Sequence, residues 1–181
     1  VDPFAFRDEM TMPKLVLLGT NDPYWCVDSA NLYFPQLEPP KYLHYEANAG
    51  HGLGVASVTS LTAFYHDVLT GTPMPEMTWS RNKDGMLEVA WDRADGKARL
   101  WRATSPNRDF RNAFWSSQDL DGDRRCTANV APPADGWLAY YVEVTFPNEL
   151  GFALGLSTTM TVLPDTFPEH GTAEAGQEPA E

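Results

Sequence analysis

Apolar and polar positions alternate in two different rhythms along this chain. Near its start, Leu15-Val16-Leu17-Leu18 form an unbroken apolar run behind Pro13 and Lys14, the pattern of a strand buried on both faces of a parallel sheet. Residues 28–37 predict a short helix with Asp28 as N-cap, ended or kinked by Pro35. After the breaker Glu38-Pro39-Pro40, the stretch KYLHYEANA reads as a second strand, interrupted by Gly50-His51-Gly52. From Val55 to Leu69, Val58, Leu61, Tyr65 and Val68 recur at helical spacing, and Gly71 and Pro73 supply the stop. Strand, loop, helix, strand, loop, helix is the order expected of α/β architecture with a parallel sheet.

Beyond Gly71-Thr72-Pro73-Met74-Pro75 the rhythm shortens to two. The runs MLEVAWD, ARLWRAT, WLAYYVEVTF and TTMTVL are separated by turn clusters such as Asn82-Lys83-Asp84-Gly85 and Pro132-Pro133-Ala134-Asp135-Gly136. In WLAYYVEVTF one face carries Leu138, Tyr140, Val142 and Val144, while Ala139, Tyr141, Glu143 and Thr145 point the other way. Short strands with regular turns predict a β-sandwich of immunoglobulin or fibronectin type III shape. The expected fold class is therefore α/β followed by all-β: an α/β unit over residues 1–72, a β-sandwich over 73–164, and a disordered acidic tail over 165–181.

Composition narrows the possible functions. With 43% hydrophobic residues, six Trp, seven Tyr and nine Phe in 181 residues, the chain has ample material for packed cores. A formal charge of −12 argues against holding a nucleic-acid backbone, and no basic stripe offsets it. The tail adds to the acidity with Asp165, Glu169, Glu174, Glu178 and Glu181 and no base. Cys26 and Cys126 have no zinc-site spacing and read as free thiols. No apolar run reaches the roughly 18 residues of a membrane-spanning helix. The chain begins at Val1 with no visible signal peptide, which a missing beginning would also produce. The compartment is left open, with a secreted or periplasmic bacterial setting among the options.

In an open parallel sheet, ligands and catalytic groups gather beyond the carboxyl ends of the strands. Asp22, in the stretch GTNDPYW, follows the first predicted strand and His51 follows the second. A histidine acting as general base needs a carboxylate on its other ring nitrogen to fix the tautomer, and neighbouring parallel strands about 4.8 Å apart bring equivalent loops within reach. Gly50 and Gly52 are expected to give the His51 loop its unusual dihedral angles. The competing reading is a pair of plain turns. Asp28 is close enough to substitute as the acid, although its N-cap position accounts for it. Tyr24 and Trp25 would wall a substrate cleft, shield the acid or pack locally.

Other residues have structural readings. His44 sits in an alternating strand, His66 in the helical run and His170 in the tail. Asp119-Leu120-Asp121-Gly122-Asp123 starts like a calcium loop, but its glycine is misplaced and its twelfth position is Val130. It reads as a hairpin turn, and no metal site is expected. Trp91, Trp101, Trp115 and Trp137 read as core residues.

Two stretches, DPFAFRDEMTMPKLVLLGTNDPYW and LYFPQLEPPKYLHYEANAGHGL, resemble the end of the α/β-hydrolase domain in the PhoPQ-activated pathogenicity-related protein family. PPADGWLAYYVEVTF resembles that family's C-terminal β region, so the likeness covers about residues 1–164. The resemblance implies that residues 1–72 are the C-terminal part of an α/β-hydrolase parallel sheet. It also implies that Asp22 is the acid and His51 the histidine of a serine-hydrolase triad. Peptidase-like or esterase-like acyl transfer on a small-molecule or peptide substrate, without a cofactor, is then expected.

The nucleophile elbow G-x-S-x-G of such enzymes is missing, and Ser29, Ser57 and Ser60, the serines of the first 72 residues, lie on no strand-to-helix elbow. The expectation is a C-terminal portion, inactive alone, that packs on an N-terminal half carrying the serine. The alternative is a non-catalytic binding or interaction module built on the β-sandwich.

Overall fold

The computed structural model describes residues 2–82 and 86–168. Its first part contains β1 (Lys14–Gly19) and β2 (Lys41–Glu46), which pair in parallel from Lys14↔Lys41 to Gly19↔Glu46. Between them lie α1 (Ala30–Tyr33) and a 3-10 turn, Phe34–Gln36. Pro35 sits at the start of that turn, where its missing N–H and ring prevent the α-helix from continuing. Helix α2 (Val55–Thr70) ends at Gly71, whose φ of 70° is a left-handed C-cap.

Eight further strands follow: β3 (Met77–Arg81), β4 (Leu87–Trp91), β5 (Lys97–Ser105), β6 (Ser116–Leu120), β7 (Arg125–Ala128), β8 (Trp137–Pro147), β9 (Ala153–Ser157) and β10 (Thr161–Leu163). They form a three-stranded sheet, β3-β4-β7, and a five-stranded one, β10-β8-β5-β6, in which β9 also pairs with β8. The long strand β8 pairs with β5 along one edge, and divides its other edge between β10 and β9.

The period-two reading of β8 explains how the layers stack. Leu138, Tyr140, Val142 and Val144 share a hydrophobic cluster with Leu87, Val89 and Trp91 of β4 and with Cys126 and Ala128 of β7. That is the interior of a β-sandwich-like fold. Ala139 and Tyr141 on the opposite face join Phe34, Leu43 and Tyr45 from the first part of the chain, together with Trp115. Tyr140, Tyr141, Val142 and Val144 are consequently all 0% exposed, although β8 belongs to an antiparallel sheet, where one face commonly meets water.

The expected fold class, an α/β-hydrolase parallel sheet followed by all-β, is overturned. Among the described residues, strand makes up about 36% and helix about 18%, and the parallel sheet has only two strands. KLVLL and KYLHYE do form parallel strands. What lies over Leu43 and Tyr45, however, is the five-stranded antiparallel sheet, which does the covering that helices would do in an α/β protein.

Helix α2 also departs from the simplest reading of its pattern. The apolar stripe that marks it as helical faces outward, with Val58 62%, Leu61 41%, Tyr65 61% and Val68 38% exposed. The buried side carries Ser57, Ser60, Ala63, Phe64 and Asp67. Small and polar side chains let the helix approach β9 closely: Gly155 N donates to Ser60 Oγ at 3.1 Å. Asp67 accepts from Asn148 Nδ2 at 2.6 Å.

The segment 121–124 links β6 to β7, which lie in different sheets, so it is a crossover and not the expected hairpin turn. Asp119 of the same stretch pairs with Arg99 at 2.9 Å. Among the described residues no group of three or more His, Cys, Asp or Glu could hold a metal ion, and no helix is long and apolar enough to cross a membrane. Trp91 and Trp115 are buried, whereas Trp101 and Trp137 are half-buried. Of the expected disordered tail, residues 169–181 with His170 lie outside the described residues, as do residues 83–85 of the Asn82 turn.

Candidate functional site

The loops leaving β1 and β2 at their carboxyl ends run against each other. Thr20 N donates to Glu46 O at 3.1 Å and Asn21 N to Ala49 O at 2.9 Å, while Thr20 Oγ1 accepts from Asn48 N at 2.9 Å. Gly19 is required by this close approach: a Cβ there would lie 2.4 Å from Ala49 O and 2.5 Å from Gly50 O.

The two loops bring Asp22 and His51 together. Asp22 Oδ2 lies 2.8 Å from His51 Nδ1, and Oδ1 accepts from Tyr24 N at 2.8 Å. Burial alone would raise the Asp22 pKa, but the Tyr24 amide and the His51 ring together outweigh it and hold the carboxyl below its ordinary range. The carboxylate is an acceptor only, so this contact places a proton on Nδ1 and leaves Nε2 of the neutral ring as a lone-pair site. Asp22 is 9% exposed and the His51 side chain 59%. The acid is shielded and the imidazole faces outward.

Tyr24 stands edge-on to His51, with ring centroids 4.9 Å apart at 83°. Trp25 is exposed and shares with Asp22, Tyr24, Asp28, Arg108 and Phe110 the lining of a cavity of about 400 Å³. His51 is not part of that lining. Of the two aromatic candidates, Tyr24 therefore touches the imidazole and Trp25 belongs to the adjoining recess.

The His51 loop owes its shape to residues that sequence reasoning passed over. Its left-handed positions are Asn48, with φ 60°, and Leu53, with φ 55°. The expected role of Gly50 and Gly52 is thereby corrected, since neither is among the positive-φ glycines. Glu46, the last residue of β2, closes the loop by receiving Gly54 N at 2.8 Å, Ser57 N at 3.0 Å and Ala56 N at 3.3 Å. A carboxylate at a helix N-terminus satisfies orphan donors and complements the helix dipole. Burial would raise the Glu46 pKa, but hydrogen bonds from Ser57, Gly54 and Ala56 bring it below the ordinary value. A capping-box carboxylate sits at the third position inside the helix, whereas Glu46 lies before it at the end of β2, so local pattern carried no sign of it. Asn21 and Asn48 were equally silent because their partners lie in the β5–β6 loop.

None of the remaining candidates takes part in this contact. Asp28 is held by Arg108 at 2.7 Å, and the N-cap of α1 is Ser29 instead. His44 is 1% exposed, lies 3.8 Å from Glu143 Oε1 and is pushed down to about 4 by burial. His66 pairs with its neighbour Asp67 at 3.1 Å. Cys26 is exposed, whereas burial drives the Cys126 thiol up to about 11.

The chain is 24% identical to autocrine proliferation repressor protein A of Dictyostelium discoideum over 93% of its own length, and spans 41% of that relative's length. Among solved structures, the third fibronectin III domain of human KIAA0343 protein matches 56% of this chain and 85% of its own, with a TM-score of 0.28 and 15% identity. Residues 1–111, which hold β1, β2, Asp22 and His51, match the PhoPQ-activated pathogenicity-related protein family, and the chain belongs to that family.

Proposed function

We propose that Asp22 and His51 are the acid and the histidine of serine-hydrolase chemistry, acting on an ester or peptide acyl group. The observation that carries the reading is the 2.8 Å contact between Asp22 Oδ2 and His51 Nδ1, made by a shielded carboxylate to a ring that faces outward. In this chemistry Nε2 of His51 takes the proton of a serine hydroxyl as it attacks the carbonyl, then delivers it to the leaving group. Asp22 holds the ring and stabilises the imidazolium between the two steps. Tyr24, edge-on to the ring, limits its rotation, and Trp25 with the adjoining recess offers a surface to the substrate.

The chain has no G-x-S-x-G segment, so the reading requires a nucleophile and oxyanion donors from elsewhere in a longer protein. The test is fluorophosphonate labelling and ester turnover of the full-length protein. His51→Ala should abolish labelling, and Asp22→Asn should slow turnover by about 10³- to 10⁴-fold with the fold intact. Labelling and turnover that persist in His51→Ala would remove the imidazole from the mechanism.

A further inference from the structure

We propose that the β5–β6 loop, residues 106–115, is a positioning element for the Asp22–His51 pair, acting through Asn21 and Asn48. The proposal rests on the acid-and-histidine reading and adds to it a part of the β-rich region that no catalytic motif would single out.

The contacts are specific to both loops. Asn21 Nδ2 lies 2.8 Å from Ala113 O, 3.1 Å from Arg111 O and 3.2 Å from Phe110 O. Its Oδ1 accepts from Thr20 Oγ1 at 2.8 Å. A primary amide has two N–H donors, so three converging carbonyls occupy it fully. Asn48 makes a reciprocal pair with Trp115: Nδ2 donates to Trp115 O at 2.9 Å, and Oδ1 accepts from Trp115 N at 2.8 Å. Asn48 does so at φ 60°, a region where asparagine is enriched among non-glycine residues. Asn21 is next to Asp22 and Asn48 lies just before His51, so one loop grips the approach to both side chains.

That grip has a firm base. Phe110 and Trp115 are 3% and 1% exposed, and Trp115 packs on Phe110 and on Tyr141 of β8. Ser105 Oγ donates to Asp109 O at 2.7 Å, and Ala113 N to Phe110 O at 3.1 Å. The carbonyls that receive Asn21 are therefore set by the core of the β-rich region. If the base moves, the two loops shift relative to each other, and the Asp22–His51 contact is what they hold between them.

A merely structural role would cost stability and leave the imidazole as it is, so the test reads the imidazole. In ¹⁵N-histidine-labelled protein at about pH 8.5, where an ordinary imidazole is neutral, nitrogen chemical shifts give the ratio of Nδ1–H to Nε2–H tautomers at His51. Asn21→Ala and Asn48→Gly, the latter keeping the positive φ permissible, should each reduce that ratio by at least about threefold, as expected for loosening one hydrogen bond. Val89→Ala in the sandwich interior should lower the melting temperature without moving it.

If the asparagine variants melt early but keep the parental ratio, the positioning role is overturned while the acid–histidine pair stands. If Asp22→Asn also keeps the parental ratio, the pair itself is refuted and the positioning role falls with it. Should either asparagine variant fail to fold, Asn48→Asp retains an acceptor for Trp115 N and sets a carboxylate oxygen against Trp115 O, which breaks that half of the pair. The same ratio then decides, an unchanged value overturning the proposal and a lowered one supporting it.

Discussion

Replacing Gly19 by alanine tests the joint between the two loops directly. The added Cβ would sit 2.4 Å from Ala49 O, 2.5 Å from Gly50 O and 3.0 Å from Ala49 C. All three atoms are backbone, so no side chain can swing aside, and the His51 loop must retreat by about 1 Å to restore ordinary contact. Overpacking of this kind costs about 1–3 kcal/mol, and losing the Asn21 N to Ala49 O bond adds about 1 kcal/mol. For a chain of this size each kcal/mol is worth about 2–4 °C. The melting temperature of Gly19→Ala should accordingly fall by about 4–16 °C, measured by circular dichroism or calorimetry. A retreat of about 1 Å would also carry the 2.8 Å Asp22–His51 contact beyond hydrogen-bonding range if it lies along the bond. Gly52→Ala is the internal control, because nothing lies within 4 Å of a Cβ at that position. A Gly19→Ala protein that melts with Gly52→Ala would show that the loops do not meet as described.

Glu46→Gln should destabilise by about 1 kcal/mol at pH 7, since a charged helix cap is replaced by a neutral one. The folded-state pKa of Glu46 lies below its ordinary value, so its contribution is present above the unfolded pKa and is lost as pH falls through the folded one. The gap between variant and parent should close below about pH 4, and a gap that stays constant from pH 7 to pH 3 would refute the assignment. Tyr141→Ala, at a residue 0% exposed, should cost about 3–5 kcal/mol in urea unfolding; a loss under about 1 kcal/mol would contradict its two-sided enclosure. Titration with a thiol reagent should modify Cys26 in the native protein and Cys126 only after denaturation, in keeping with one exposed and one buried thiol.

Local features were the ones legible in the sequence. The apolar run of β1, the Pro-Pro breaker before β2, the stop after α2 and the face alternation of β8 all follow from neighbouring residues. The meeting of Asp22 and His51 was consistent with them, because equivalent loops on paired parallel strands are adjacent, but the same residues also fitted a pair of plain turns, and it was the family resemblance that singled the two out. Features that depend on distant partners were invisible. Periodicity announced an apolar stripe on α2 but could not reveal that Ser57, Ser60 and Asp67 would be the side turned inward. Nothing near Asn21 indicated carbonyls about ninety positions later, and nothing near Leu43 or Tyr45 indicated that a β-sheet would cover them. The α/β expectation failed there: it assigned helices to a face that the second half of the chain occupies.

A strand dry on both sides leaves little room for piecemeal change. In β8 the even positions from Leu138 to Phe146 serve one interior while Ala139 and Tyr141 serve another, so a substitution on either face meets packed neighbours. A chimera that imported a foreign sandwich for residues 73–164 would have to reproduce Ala139 and Tyr141 as faithfully as Tyr140 and Val142. Otherwise the support beneath Leu43 and Tyr45 would be lost even if the new sandwich folded perfectly.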